Sequence, residues 1–391
     1  MTETTAQAAG PLSQVDTRFL AAAIELAEQG RFSTTPNPCV GCLLVRDGEV
    51  LGRGYHVRAG GPHAEVAAIN DARAQGAATG LSKAQIAARL QGATAYVSLE
   101  PCAFHSRTPP CAEALKDIGV ARVIGAFTDP HPKVAGRGYA LLRDAGIEVA
   151  TAELNAAGSV IEGYTSRIVR QRPFVRLKVA ASLDGRTAMA SGESQWITGS
   201  AARADVQYWR ARSCAIITGR GTVVADDPAM NVRDSQFAVQ GQLRQPLRVV
   251  LDSQARLHPD AQIFAPAEQA LWVHAEGAKP ASSVATLVCG KTQVDLPALL
   301  HALAERNCNE VLVEAGPMLI GQFLAQGLWD EALIYLAPKF LGSDARPLAQ
   351  LPLSRMAQGI AGTITEVTSV GDDLRVRLRP RQTSTDSEPA A

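Results

Sequence analysis

Pro62-His63-Ala64-Glu65, then Leu99-Glu100-Pro101-Cys102, then Cys111 form the stretch on which the reading of this chain turns. One imidazole and two thiolates make three ligands for a tetrahedral Zn²⁺ and leave one position for water, whose pKa the metal lowers toward neutrality. Glu65 stands two residues from His63 on the same first helical turn, placed to carry protons rather than to bind metal. A lone His or Cys is more often packing than ligand. Packing does not explain a His-x-Glu followed by a Pro-Cys and a further Cys, each predicted at a strand-to-helix junction. The segment Ala103 to Pro110 separates the cysteines and must loop out to return Cys111 to the metal. The nearby Cys39-Val40-Gly41-Cys42 has a metal-like spacing, but Cys42 opens an apolar strand and no second ligand pair follows, so both thiols are assigned to the core. His56 fits either a pocket lining or a surface position.

Outward from this cluster the pattern alternates. Helical spacing over Asp16 to Gly30 is followed by a hairpin over Gly41 to His56, turning at Asp47-Gly48. Next come a helix from His63 to Ala74, a strand from Ala93 to Leu99, a helix from Pro110 to Ile118 and a strand from Ala121 to Phe127. A helix from Gly136 to Ala145, a strand from Ile147 to Ala152 and one long helix from Glu153 to Arg170 complete the half. Arg172-Pro173 breaks that helix, because proline disfavours helix in the residue before it. A second series then begins with strand Phe174 to Ala181. It continues with helix Ser200 to Arg212 and strands Ala215 to Thr218, Leu247 to Asp252 and Ala270 to His274. Helix Leu296 to Arg306, strand Glu310 to Glu314, helix Met318 to Gln326, strand Glu331 to Ala337 and a hairpin over Gly362 to Leu378 close it. Strands alternating with helices predict two α/β layers with parallel strands. The expected organisation is a polar disordered tail over 1–15, domains over 16–171 and 172–381, and a second tail over 382–391.

Composition excludes several classes. The chain of 391 residues is 46% hydrophobic, enough for two cores, and no apolar run is long enough for a membrane helix. Lys+Arg and Asp+Glu are equal at 38 each, and no basic run points to nucleic acid. The first residues have no signal-peptide pattern, and seven scattered cysteines suit a reducing cytoplasm better than a disulfide frame.

His-x-Glu with a later Pro-Cys is the arrangement of hydrolytic zinc deaminases. With Thr35-Pro36-Asn37-Pro38, Val40-Gly41-Cys42 and Arg107-Thr108-Pro109-Pro110-Cys111, it resembles the bifunctional riboflavin-biosynthesis deaminase/reductase family. The second half matches too, through Leu183-Asp184-Gly185-Arg186-Thr187-Ala188, Ser191 to Thr198, Ala225-Asp226-Asp227-Pro228 and Glu314-Ala315-Gly316-Pro317. The resemblance implies a cytidine-deaminase-like α/β/α sandwich followed by a dihydrofolate-reductase-like α/β domain. It implies hydrolytic removal of the 2-amino group of 2,5-diamino-6-ribosylamino-4(3H)-pyrimidinone 5′-phosphate, then reduction of the ribosyl side chain with NADPH. One zinc per chain would be held by His63, Cys102 and Cys111, with Glu65 catalytic. Phe104 and Ser106 depart from the family, which usually has His and Gly there.

In the second half no Gly-x-Gly-x-x-Gly follows a strand, so a Rossmann domain is not expected. The strand ending at Glu314 runs instead into Gly316-Pro317-Met318-Leu319-Ile320-Gly321-Gln322, which opens a helix whose free N–H groups suit phosphate. The resemblance assigns this segment to the dinucleotide, together with Ala180, Trp196, Thr222, Asp226 and Ser253. It assigns Ser194, Arg210, Met230, Arg233 and Glu314 to the substrate. No residue stands out as the proton donor for reduction. The expected partner is a small pyrimidine ribosyl phosphate, with neither nucleic acid nor membrane, and the chain is expected to form a homo-oligomer, a dimer or tetramer. Two other readings remain at this point. One is a zinc deaminase acting on nucleic acid or a nucleoside, with an unrelated C-terminal domain. The other is a structural-zinc protein with a binding module, in which His105 would fill the fourth position.

Overall fold

A computed structural model describes residues 12–104, 110–280 and 283–381. The expected tails over 1–11 and 382–391, and His105, Ser106 and Arg107 to Pro109, lie outside them. The chain divides into two compact units between Arg170 and Gln171.

The first unit contains α1 (Gln14–Glu28), β1 (Gly41–Arg46), β2 (Glu49–Tyr55), α2 (Ala64–Ala78), α3 (Lys83–Leu90) and β3 (Thr94–Val97). It continues with α4 (Cys111–Asp117), β4 (Arg122–Gly125), α5 (Arg137–Asp144), β5 (Glu148–Thr151), α6 (Asn155–Val160) and α7 (Glu162–Arg170). Order begins earlier than the sequence pattern placed it. Ser13 caps α1 in a reciprocal box with Asp16, so Ser13 to Val15 belong to the domain and not to a tail. The single helix expected over Glu153 to Arg170 is two helices, because the chain turns at Ile161.

The sheet order is β2-β1-β3-β4-β5. β3, β4 and β5 are parallel, whereas β1 runs antiparallel to both β2 and β3, so the layer is mixed. Alternation along β1 sends Cys42 and Leu44 to one core with Ala68, Ile86, Leu115 and Leu142. Leu43 and Val45 go to the other, with Phe19, Leu20 and Ala157. Helices therefore cover both faces, an α/β/α sandwich. α2 lies directly on β2: a Cβ on Gly54 would stand 2.4 Å from the Ala68 backbone nitrogen. That close approach, open only to glycine, sets where the first turn of α2 ends up.

The second unit contains β6 (Phe174–Ser182), β7 (Arg186–Ala188), α8 (Ser200–Arg212), β8 (Ala215–Gly219), α9 (Arg220–Asp226), β9 (Leu247–Leu251), β10 (Ala270–His274) and β11 (Ala285–Val288). Then follow α10 (Leu296–Glu305), β12 (Glu310–Glu314), α11 (Pro317–Ala325), β13 (Glu331–Ala337), β14 (Arg346–Pro347), β15 (Gly362–Val370) and β16 (Asp373–Pro380). Nine strands form one sheet in the order β11-β10-β9-β8-β12-β6-β13-β16-β15. Its pairs are parallel except where β16 meets β13 and β15. Val175, Leu177 and Val179 face α10 and α11 on one side. Ile216, Leu312 and Leu333 pack with Trp209 of α8 on the other.

The candidate metal centre and the carboxyl edge of the second sheet

The three predicted ligands come together. His63 is the N-cap of α2, Cys111 is the first residue of α4, and Cys102 lies in the loop beyond β3. His63 Nδ1 is 3.6 Å from Cys102 Sγ and 3.2 Å from Cys111 Sγ, and the three donor atoms lie within 4.8 Å of one another. Zinc with bonds of roughly 2.0–2.3 Å to nitrogen and sulfur needs donors spaced about this far apart, so the set fits the ion. The Cys111 backbone N–H donates to Cys102 Sγ at 3.3 Å. Hydrogen bonds from Cys111 and His63 hold the Cys102 thiol at about 4, well below its ordinary value, so a thiolate is favoured there.

Glu65, only 3% exposed, lies beside the ligands and is not one of them. Burial, with the neighbouring Cys102 thiolate, pushes its carboxyl above the usual range. His56 is buried, which removes the surface reading. Its Nδ1 meets the Pro62 carbonyl at 2.9 Å, its Nε2 meets Asn37 Nδ2 at 2.9 Å, and its ring stands edge-on to His63 at 5.2 Å. With Nδ1–H donating to that carbonyl, Nε2 accepts from Asn37, so a neutral ring orients the amide. Cys42 is wholly buried, and Cys39 packs against the Thr34 hydroxyl, in keeping with core roles. Phe104 stacks on His131 with centroids 6.4 Å apart. Metal analysis of the cysteine variants is expected to separate these thiols. Cys102→Ser and Cys111→Ser should each lose most of about one zinc per chain, while Cys39→Ser should retain it. The opposite pattern would mean the wrong thiols have been chosen.

In the second unit, buried ion pairs sit at both ends of the same strands. At the amino end Arg176 donates to Glu331 at 2.7 Å and also pairs with Glu310, which accepts from Arg212 at 2.6 Å. At the carboxyl end Arg210 donates to both oxygens of Glu314, at 2.7 and 2.9 Å. Ligands of open parallel sheets bind outside the carboxyl ends, so only the second cluster is positioned for chemistry. Arg210 is therefore no solvated-face residue; it is committed to Glu314. Burial alone would raise the Glu314 carboxyl, but the Arg210 guanidinium outweighs it and holds the group below its usual value. Lys178, which the sequence reading missed, is opposite Glu314 in the β6–β12 register, its Nζ 3.9 Å from Glu314 Oε2. Burial lowers its pKa. A lysine in an apolar strand carries no local mark; only the register reveals it.

The residues assigned to the dinucleotide lie along this carboxyl edge: Ala180 on β6, Thr222 and Asp226 on α9 after β8, Ser253 after β9, and Gly316 to Gln322 after β12. Gly316 caps α11 without any side-chain cap, and a Cβ on it would meet nothing within 4 Å. That open space over free helix N–H groups suits a phosphate. Within the same run, Ile320 is a core residue, and Gly321 is required for packing, since its Cβ would lie 2.1 Å from the Gln350 carbonyl oxygen. Pro317 occupies the first turn, Met318 and Gln322 are exposed, and Leu319 is half-buried. Trp196, more often a core residue by type, is 64% exposed and lies under the Arg203 guanidinium at 4.4 Å. Met230 is buried, Ser194 half-buried and Arg233 exposed.

Fold and site together define a zinc-dependent deaminase joined to an NADPH-dependent reductase. The model for the cytidine and deoxycytidylate deaminase zinc-binding region matches residues 13–127, and the RibD C-terminal domain matches residues 173–376. The riboflavin biosynthesis protein RibD of Escherichia coli (strain K12) is 45% identical over 376 residues, covering 93% of this chain and 99% of its own. That of Haemophilus influenzae is 43% identical, covering 94% and 98%. Among solved structures, Acinetobacter baumannii RibD aligns with a TM-score of 0.85 at 43% identity, over 94% of this chain and 99% of its own. A Thermotoga maritima protein described as a diaminohydroxyphosphoribosylaminopyrimidine deaminase/5-amino-6-(5-phosphoribosylamino)uracil reductase aligns at 0.81 and 30% identity, over 94% and 99%. The chain belongs to the RibD family of bifunctional deaminase/reductases of riboflavin biosynthesis, and its cofactors are zinc and NADPH. Both halves carry their own match, so neither an unrelated C-terminal domain nor a structural-zinc module is favoured.

Proposed function

We propose that the domain over 16–171, with Ser13 to Val15 added, removes the 2-amino group of 2,5-diamino-6-ribosylamino-4(3H)-pyrimidinone 5′-phosphate. The domain over 172–381 then reduces the ribosyl side chain to give 5-amino-6-ribitylaminouracil 5′-phosphate. The observation that carries the reading is the His63, Cys102 and Cys111 donor set with Glu65 buried beside it. Zinc held by His63, Cys102 and Cys111 would supply a Lewis acid that makes water nucleophilic near neutral pH. Glu65 would take a proton from that water and give it to the ring nitrogen as hydroxide adds to the carbon, then take a second proton from the added hydroxyl and give it to the amine as the carbon–nitrogen bond breaks and ammonia leaves. Its raised pKa suits a group that must both accept and release a proton.

At the carboxyl edge, Gly316 and the first turn of α11 hold the dinucleotide, which supplies the hydride. Glu314, with Arg210 and Lys178, holds the substrate at the end of β12. Ser194, Met230 and Arg233 complete that side, and Ala180, Trp196, Thr222, Asp226 and Ser253 the cofactor side. The reading includes a homo-oligomer in the cytoplasm that works on small molecules, with neither nucleic acid nor membrane as partner. A formal net charge of zero and seven cysteines, none of them in a disulfide, agree with it. Among the described residues no helix is long and apolar enough to cross a membrane.

The test is incubation with the diaminopyrimidinone phosphate, with and without NADPH, following ammonia and NADPH together. Ammonia should appear in both, and NADPH should be consumed only after it. Release of no ammonia would sink the reading. A fragment starting at Arg172 is expected to reduce the deaminated ribosylaminouracil phosphate without zinc. A soluble, folded fragment that binds neither NADPH nor substrate would refute the boundary.

A further inference from the structure

Among the described residues, the buried Nε of Arg220 has no hydrogen-bond partner. Arg220 begins α9 directly after β8, and its side chain is half-buried. Four other cations of this unit have partners: Arg210 and Lys178 pair with Glu314, Arg203 donates to the Thr198 carbonyl and Lys339 to the Trp196 carbonyl, while Arg233 is exposed to solvent. A guanidinium Nε–H buried without an acceptor loses solvation and gains nothing in return, so this half-buried side chain is suited to an anion that arrives from outside.

The order of the strands says which anion. Along the carboxyl edge the sequence is β9, β8, β12, β6. Glu314 and Lys178 occupy the β12–β6 end, where the reacting carbon and the nicotinamide must meet. The helix start at Gly316 follows β12 directly, which gives the pyrophosphate its N–H donors. A dinucleotide laid from β6 across β12 therefore brings its adenosine end over β8 and β9. Gly219 confirms the adjacency, since a Cβ there would lie 3.6 Å from Leu319 Cδ2 in the first turn of α11. Gly219 pairs with Leu251, so Arg220 and the Asp252-Ser253 segment leave the edge side by side. The phosphate carried by the adenosine end is the 2′-phosphomonoester, a dianion for which a forked guanidinium is well shaped.

We propose that Arg220 binds the 2′-phosphate of NADPH and makes this reductase select NADPH over NADH. The inference rests on the NADPH subsite described above and adds the residue that reads the phosphate.

The test is equilibrium titration of the full-length protein, by nucleotide fluorescence, with NADPH, NADH and 2′,5′-ADP as a competitor that carries the same phosphomonoester but no nicotinamide. In Arg220→Gln, NADPH affinity should fall about tenfold to a hundredfold, the size of one or two charge-assisted hydrogen bonds. NADH affinity should stay within about twofold, as expected for a nucleotide that makes no contact with the arginine, and 2′,5′-ADP should lose its ability to compete. Arg220→Lys should recover part of the preference, keeping the charge without the fork. The affinity for the deaminated substrate, whose 5′-phosphate is also a monoester, should be unchanged in both variants. Equal losses for NADPH and NADH would overturn the proposal, placing Arg220 at the pyrophosphate or in a purely structural role. A loss confined to the substrate would assign it to the 5′-phosphate instead. Unchanged NADPH binding would remove Arg220 from the cofactor site. Wild-type protein that prefers neither nucleotide would count against the NADPH subsite itself.

Discussion

Glu65→Gln is expected to release ammonia on the order of 10²–10⁴ times more slowly than the native protein, the usual contribution of a positioned general acid–base group. The amide keeps the size of the carboxyl and fits the same buried space, so α2 and the ligands it positions should be undisturbed. Glu65 is outside the His63, Cys102 and Cys111 donor set, so zinc content should stay at about one per chain. What is lost is the capacity to take a proton from water and deliver it to nitrogen, because an amide does neither near neutral pH. Reduction of the already deaminated substrate should proceed at the native rate. Metal analysis alongside ammonia release separates this from simple loss of the site. Near-normal ammonia release in a zinc-loaded Glu65→Gln protein would refute Glu65 as the proton carrier.

Gly316→Val should abolish reduction while deamination continues. The position has φ −73° and ψ 172°, extended backbone that any residue adopts, and a Cβ there would meet nothing within 4 Å. The protein therefore has no need of glycine for folding at this point, and the open space is left for a ligand. Branched carbon in it would keep the phosphate from the first-turn N–H groups. Losing two charge-assisted hydrogen bonds, at about 1.5–3 kcal/mol each, lowers NADPH affinity about a hundredfold or more. Gly321→Val is the contrast. With the Gln350 carbonyl oxygen 2.1 Å from its Cβ position, that change should lower the melting temperature of the whole unit. Glu314→Gln should give a third signature, reduction falling with NADPH affinity nearly intact, because its partners are Arg210 and Lys178, which the proposed function places with the substrate. Unchanged NADPH binding in folded Gly316→Val would place the cofactor elsewhere.

The centre of the first unit was legible residue by residue. Zinc accepts few residue types, and two of its ligands start or cap a helix, a position marked locally by what precedes it. Most helices and strands were legible for a similar reason: periods of 3.6 and 2 are properties of a single segment. The short strands β7, β11 and β14 and the short helix α9 escaped, being too short for a period to show, and so did the two-turn helix α3, although Ser82 and Gln85 form a capping box at its start. So did the break at Ile161, which no glycine or proline marks.

Pairing is another matter. Nothing in the apolar run Glu310 to Glu314 says that it lies between β6 and β8, whose residues are roughly a hundred positions away or more, since any Val-rich strand would satisfy either neighbour. Yet that placement brings Lys178 beside Glu314 and sets Arg220 next to the turn that holds Ser253. Arg210 likewise shows its partner only in the folded sheet, where it meets the Glu314 carboxylate, and Gly316 and Gly321, alike as letters, differ only in what surrounds their α-carbons. Residue type and local spacing specified the metal chemistry, because coordination is a demand on a few named atoms. In the second unit the family resemblance named Arg210, Glu314 and Gly316, whereas Lys178 and the pairing of Arg210 with Glu314 came only from the order of nine strands, because these charges are contributed by segments that meet only when the sheet assembles.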